Sequence, residues 1–155
     1  MVALYELLVL CGIAGFTVYD IQKRQVSDQA LLLFIPLALL SPFIRAFPFW
    51  RPVILLLYIA EVLGGAAVGF LILLTAALLS QNGTGIGGGD IKLAAVMGFI
   101  YGSVRMLQIL LLASCMASIT AFAVSRRKPG LPCSLPFVPY LMAGSLAVTA
   151  ALLLQ

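Results

Sequence analysis

The chain has 155 residues, of which 63% are hydrophobic and 9% charged, with a net charge of +4 and no histidine. A mean hydropathy of +1.18 excludes a soluble globular domain, because a water-facing surface cannot be assembled from so few polar residues. The length suits a single membrane domain, each span with its loop taking roughly 25 residues, and leaves no space for an additional soluble unit.

Six apolar runs follow in chain order: Val2–Tyr19, Ala30–Ile44, Val53–Ser80, Ile91–Tyr101, Met106–Val124 and Leu131–Leu154. They predict an all-α, polytopic membrane helix bundle with about six transmembrane helices, residues 1–155 forming one domain. The first run lacks a basic start and carries Glu6, so it is expected to be a retained helix rather than a secretory signal. The second holds Pro36 and Pro42, and the sixth opens through Pro132, Pro136 and Pro139, positions where an α-helix kinks or begins. The fourth run is short for a hydrocarbon core of roughly 30 Å. In the third, Gly64, Gly65, Gly69, Ala66 and Ala67 offer a small-residue face for close helix packing.

Helix parity puts Lys23, Arg24, Lys92, Arg126, Arg127 and Lys128 on one side and Arg45, Arg51 and Arg105 on the other. The more basic side is expected to be cytoplasmic, which leaves both termini outside. Parity alone also brings Asp20, at the end of the first run, and Asp90, at the start of the fourth, to one face.

Intramembrane charge is expensive, roughly 2.5–3.5 kcal/mol per residue on insertion scales, so the five acids Glu6, Asp20, Asp28, Glu61 and Asp90 are the places to look for chemistry. Two facing carboxylates share one proton, since like charges at about 3 Å cannot both ionise easily. The ionised member can then activate water while the protonated one polarises a carbonyl, without metal or nucleophilic side chain. With no histidine and no metal-ligand spacing, a hydrolase built on this chain would use acids, and no cofactor is expected. The run Gly83, Gly85, Gly87, Gly88, Gly89 before Asp90 removes side-chain bulk and permits positive φ, so that an extended substrate could approach. The plainer alternative is a flexible loop with Asp90 as helix cap. Helix dipoles favour charge on Asp90, which opens a helix, over Asp20, which closes one, and so make Asp90 the expected base.

The stretch Gly87-Gly88-Gly89-Asp90-Ile91-Lys92-Leu93, with Ala94-Ala95 and Gly98, resembles the Gly-x-Gly-Asp-x-Lys-Leu signature of type IV prepilin peptidases. Asp20 standing eight residues before Asp28, and Leu135-Pro136-Phe137-Val138-Pro139-Tyr140-Leu141 with Gly144, extend the resemblance along nearly the whole chain. It implies a membrane aspartic endopeptidase of the bacterial or archaeal cytoplasmic (inner) membrane, removing the leader of a prepilin or pseudopilin at the cytoplasmic face. Asp20 and Asp90 would be its catalytic pair, with Gly87, Gly88, Gly89 and Lys92 as a supporting or substrate-binding loop. Its partners would be the substrate and the lipid bilayer, with no nucleic acid. Absence of a cysteine-rich methyltransferase region makes it look like the short, peptidase-only type found with Flp or tight-adherence pili. Departures from the family pattern fall at Val26-Ser27-Asp28, Thr84 and Val138.

Other residues have plainer readings. Asp28 suits a helix cap; Lys92 can steady Asp90 or snorkel to headgroups; Cys11, Cys115 and Cys133 read as small core hydrophobes. The competing functional class is a small transporter or channel subunit conducting through Asp20, Asp90 and Glu61. It is disfavoured because Asp20 and Asp90 belong to helix ends on one face rather than to mid-membrane.

Overall fold

The computed structural model describes residues 2–23, 28–46, 51–79, 87–127 and 136–153. Among these described residues the chain is an all-α bundle of seven helical segments: α1 (Val2–Lys23), α2 (Asp28–Leu39), α3 (Ser41–Ala46), α4 (Pro52–Leu79), α5 (Gly88–Tyr101), α6 (Ser103–Arg127) and α7 (Val138–Leu153). Three of them are long and apolar enough to cross a membrane, over Leu4–Ile21, Pro52–Leu79 and Ser103–Arg126. The other apolar helices are shorter.

The second predicted run is divided rather than continuous. Pro36 lies inside α2, and Pro42, the second residue of α3, has no N–H to donate to the Ala38 carbonyl; a turn at Leu40 separates α2 from α3. The hydrogen bonds Leu40 N–H to Pro36 O (3.2 Å) and Ile44 N–H to Leu40 O (3.0 Å) carry the chain across the break without leaving these groups unpaired.

Helix α5 occupies the centre. Ile91, Leu93, Ala94, Met97, Gly98, Ile100 and Tyr101 are all buried on its 14 residues. It packs most extensively against α4, with α2 and α6 also against it, while α7 lies between α1 and α6. The predicted small face on α4 is where α5 comes closest. A Cβ at Gly65 would collide with the Gly98 carbonyl, and one at Gly69 with the Ala94 carbonyl, whereas Gly64 has only a distant Ser103 beside it. Close backbone approach of this kind requires glycine on the approaching face.

Gly102 ends α5 with φ +82° and donates its N–H to the Gly98 carbonyl at 2.9 Å. A side chain there would be strained in that left-handed region and would also meet Glu61 Oε1, 2.8 Å from the Cβ position. Its geometry lets α6 begin at once at Ser103.

The cysteines depart from expectation. Cys11 and Cys115 are exposed on their helices, and Cys133 lies outside the described residues. In an apolar bundle the outer surface is as hydrophobic as the core, as exposed Leu8, Leu111 and Leu112 show, so apolar sequence context does not imply burial.

Candidate active site

Asp20 and Asp90 come together at one end of the bundle. Helix α1 continues past Tyr19 to Lys23, so Asp20 sits in its last turn rather than terminating it. The side chain is 5% exposed, and its Oδ2 has no hydrogen-bond partner. The backbone N–H of Val138, the first residue of α7, faces its carboxylate. Phe137 precedes that helix and accepts the N–H groups of Tyr140 and Leu141 at 3.1 and 3.2 Å. The unsatisfied N–H of a helix start, with the positive end of its dipole, is therefore aimed at Asp20.

Asp90 occupies the first turn of α5. The helix begins at Gly88, earlier than the apolar pattern suggests, and Gly87 is the N-cap with extended dihedrals, φ −70° and ψ 143°. Positive φ is thus not what Gly87 provides; among the described residues the only glycine with it is Gly102. Asp90 is not the N-cap residue either. It stands three positions into the helix and its carboxylate meets the Gly87 N–H, the backward reach of a capping box. Asp90 N–H bonds the Gly87 carbonyl at 3.0 Å. Gly83, Thr84 and Gly85 lie outside the described residues.

Burial first, and the negative charge of Asp20 second, push the Asp90 carboxyl up to about 6, against the smaller opposing effect of the Gly87 N–H. Each carboxylate thus receives a backbone N–H from a helix start, Asp90 from α5 and Asp20 from α7. The Asp20 charge is the second cause raising Asp90, so the two acids are close enough to interact.

Thr17, one turn before Asp20, is buried and donates to the Ile13 carbonyl at 3.0 Å, with Met142 Sδ of α7 at 3.4 Å. This contact fixes the approach of α7 to α1 close to Val138. Lys92 is exposed on α5, as are Gly87 and Gly88 at its start. Helix α2 opens at Asp28, as expected. Glu61 is exposed on α4 beside Gly102, at the far end of α5 from Asp90, which separates it from the pair. Among the described residues, no three His, Cys, Asp or Glu side chains gather as a metal site would need.

Sequence reasoning did not foresee the Val138 N–H. The signal was the proline-rich segment 135–139, since Pro139 next to a helix start marks a first turn, but which group that turn would face is a tertiary fact.

An all-α bundle with helices long enough to cross a membrane and two interacting carboxylates at one end defines a membrane protein with an acid-pair site. Residues 7–122 match the type IV leader peptidase family, and the chain belongs to that family. It is also 32% identical over 136 residues to the prepilin leader peptidase/N-methyltransferase of Bacillus subtilis (strain 168), an alignment covering 83% of this chain and 48% of that protein. The chain thus spans about half the length of the curated relative it matches. No solved structure matches it.

Proposed function

We propose that the protein is a membrane aspartic endopeptidase that removes the leader from prepilins or pseudopilins, with Asp20 and Asp90 as its catalytic pair and the site open to the cytoplasmic side of a bacterial or archaeal inner membrane. Family membership supports the substrate class. The convergence of buried Asp20 and half-buried Asp90 at the starts of α7 and α5 supports the mechanism. When the pair holds one proton it resides on Asp90, whose carboxyl is raised to about 6 by burial and then by the Asp20 charge, and Asp20 is the ionised member. This inverts the assignment that helix dipoles alone suggest, since that argument leaves burial out. Asp20 removes a proton from water as the oxygen adds to the scissile carbonyl carbon, and Asp90 donates a hydrogen bond to the carbonyl oxygen. The peptide C–N bond then breaks as the departing nitrogen takes a proton from the pair, so water's hydroxyl ends on the acyl product and its hydrogen on the amine. The cytoplasmic placement rests on the sequence, where helix parity assigns six basic residues to one side and three to the other.

The test is cleavage of a leader-bearing prepilin by purified protein in lipid. Asp20→Asn and Asp90→Asn should each abolish it while the protein inserts and folds. Cleavage at the unmodified rate by either variant removes that residue from the pair.

A further inference from the structure

The opposite end of the bundle holds a second polar cluster that peptide hydrolysis does not use. Ser41 and Arg45 lie one turn apart on α3. Ser41, with no exposed surface, donates its hydroxyl to the Ile100 carbonyl at 2.9 Å, and Arg45 Nη1 donates to the Tyr101 carbonyl at 3.2 Å. These are the last two carbonyls of α5, which have no N–H of their own helix to pair with. A guanidinium there is also favoured by the helix dipole.

The groups facing Arg45 come from every neighbouring element: Tyr5 and Glu6 of α1, Glu61 of α4, Tyr101 of α5 and Arg105 of α6. Glu6, itself buried, pairs with Arg105 at 3.4 Å. Burial and then the Arg105 charge oppose the Arg45 charge, and Tyr5, Glu6 and Glu61 offset them in part; the Tyr101 carbonyl holds Nη1, while Nη2 has no hydrogen-bond partner.

Helix α5 links this cluster to the acid pair. Asp90 stands in its first turn and Tyr101 is its last residue, about 17 Å apart along the axis. Between them α5 lies on α4 through the bare backbones at Gly98 and Ala94. A helix is stiff along its axis, so a displacement at its Tyr101 end is carried to Asp90, and the bonds from α3 hold that end.

We propose that α3 is an axial stop for α5, with Ser41 and Arg45 as positioning residues whose hold on the Ile100 and Tyr101 carbonyls sets where Asp90 stands relative to Asp20. The consequence for catalysis rests on the Asp20/Asp90 reading above; the mechanical part does not.

Two readouts on the full chain in nanodiscs separate the parts. For position, spin labels go on Gly15→Cys of α1 and Gly88→Cys of α5, sites where an added side chain meets open space, with the native cysteines changed to serine. Arg45→Gln combined with Ser41→Ala should shift or broaden the interlabel distance by about 1 Å or more, and Arg45→Lys should restore it. For function, unlabelled Arg45→Gln should lose kcat on the order of 10²-fold, as expected for a misplacement of about 1 Å. KM should hold, the pH profile of kcat should move, and Arg45→Lys should recover most of the loss. An unchanged distance distribution in the double variant overturns the stop, as does a KM-only effect in Arg45→Gln. A moved distribution together with full cleavage by Asp90→Asn would overturn the acid pair and leave the stop standing.

Discussion

Gly65 and Gly98 meet backbone to backbone, each occupying the space where the other's missing side chain would reach a carbonyl oxygen. Replacing a helical glycine by alanine ordinarily stabilises by about 0.5–1 kcal/mol. Here the added methyl must push two helices apart, an overpacking cost of roughly 1–3 kcal/mol. Gly98→Ala should therefore lower the thermal unfolding midpoint in detergent, while Gly15→Ala, which meets nothing within 4 Å, should raise it or leave it alone. Equal midpoints for the two variants would show that the α4–α5 contact is looser than described.

Stability should depend on pH through Asp90. Its folded carboxyl is raised from 3.8 to about 6, by burial and then by Asp20, so the folded state binds the proton more tightly than the unfolded chain does. The contribution is fully present below about 4 and is lost as pH rises through about 6. Thermal midpoints measured from pH 4 to 7 should fall over this window, and Asp90→Asn should flatten that fall. A fall of the same size in the variant would assign the dependence to another group.

The same proton should be visible spectroscopically. Difference infrared spectra of substrate-free protein between the acid and neutral ends of that window should contain a protonated-carboxyl band that Asp90→Asn removes and Asp20→Asn does not. The opposite pattern would exchange acid and base within the pair.

The backbone donor on Asp20 can be deleted without removing a side chain. Val138→Pro eliminates the N–H at the first helical position, where proline is well tolerated, so α7 should form while Asp20 loses its donor. Cleavage should drop by about 10-fold or more, in line with the 1.5–3 kcal/mol of a hydrogen bond to a charged group. Val138→Gly keeps the N–H and should keep activity. Similar losses in both variants would point to the valine side chain instead.

Chelators and thiol blockers should leave cleavage intact, and so should Cys11→Ser with Cys115→Ser. Both cysteines lie on the outer surface of their helices, and neither belongs to the acid site. Inhibition by a zinc chelator that added metal reverses would call for a different mechanism.

Much of the architecture is legible in the sequence because membrane helices announce themselves by length of apolar run. The pairing of Asp20 with Asp90 follows from counting crossings, and the glycine face of α4 is visible as spacing. What escapes is whatever depends on which helix lies beside which. Helix α1 continues past Tyr19 to Lys23, and the Asp20 carboxylate is met by the first N–H of α7, a partner invisible to local pattern. Helix α5 starts at Gly88 because its own carboxylate reaches back to Gly87, overriding the poor helix propensity of glycine. Cys11 and Cys115 look like core residues since a lipid-facing surface and a protein core have the same composition. Arg45, Arg105 and Glu6 read as scattered charges until α3, α6 and α1 converge at the end of α5.

The shortness of α5 has a consequence for the protein around it. At 14 residues it is about 21 Å long, less than the roughly 30 Å of acyl chain in an ordinary bilayer, yet it carries polar groups at both ends. The bundle encloses α5, so lipid does not have to adapt to it: it is half as long as the 28-residue α4 it packs on. Its polar ends are served by protein groups, as the Ile100 and Tyr101 carbonyls are by Ser41 and Arg45, rather than by headgroups.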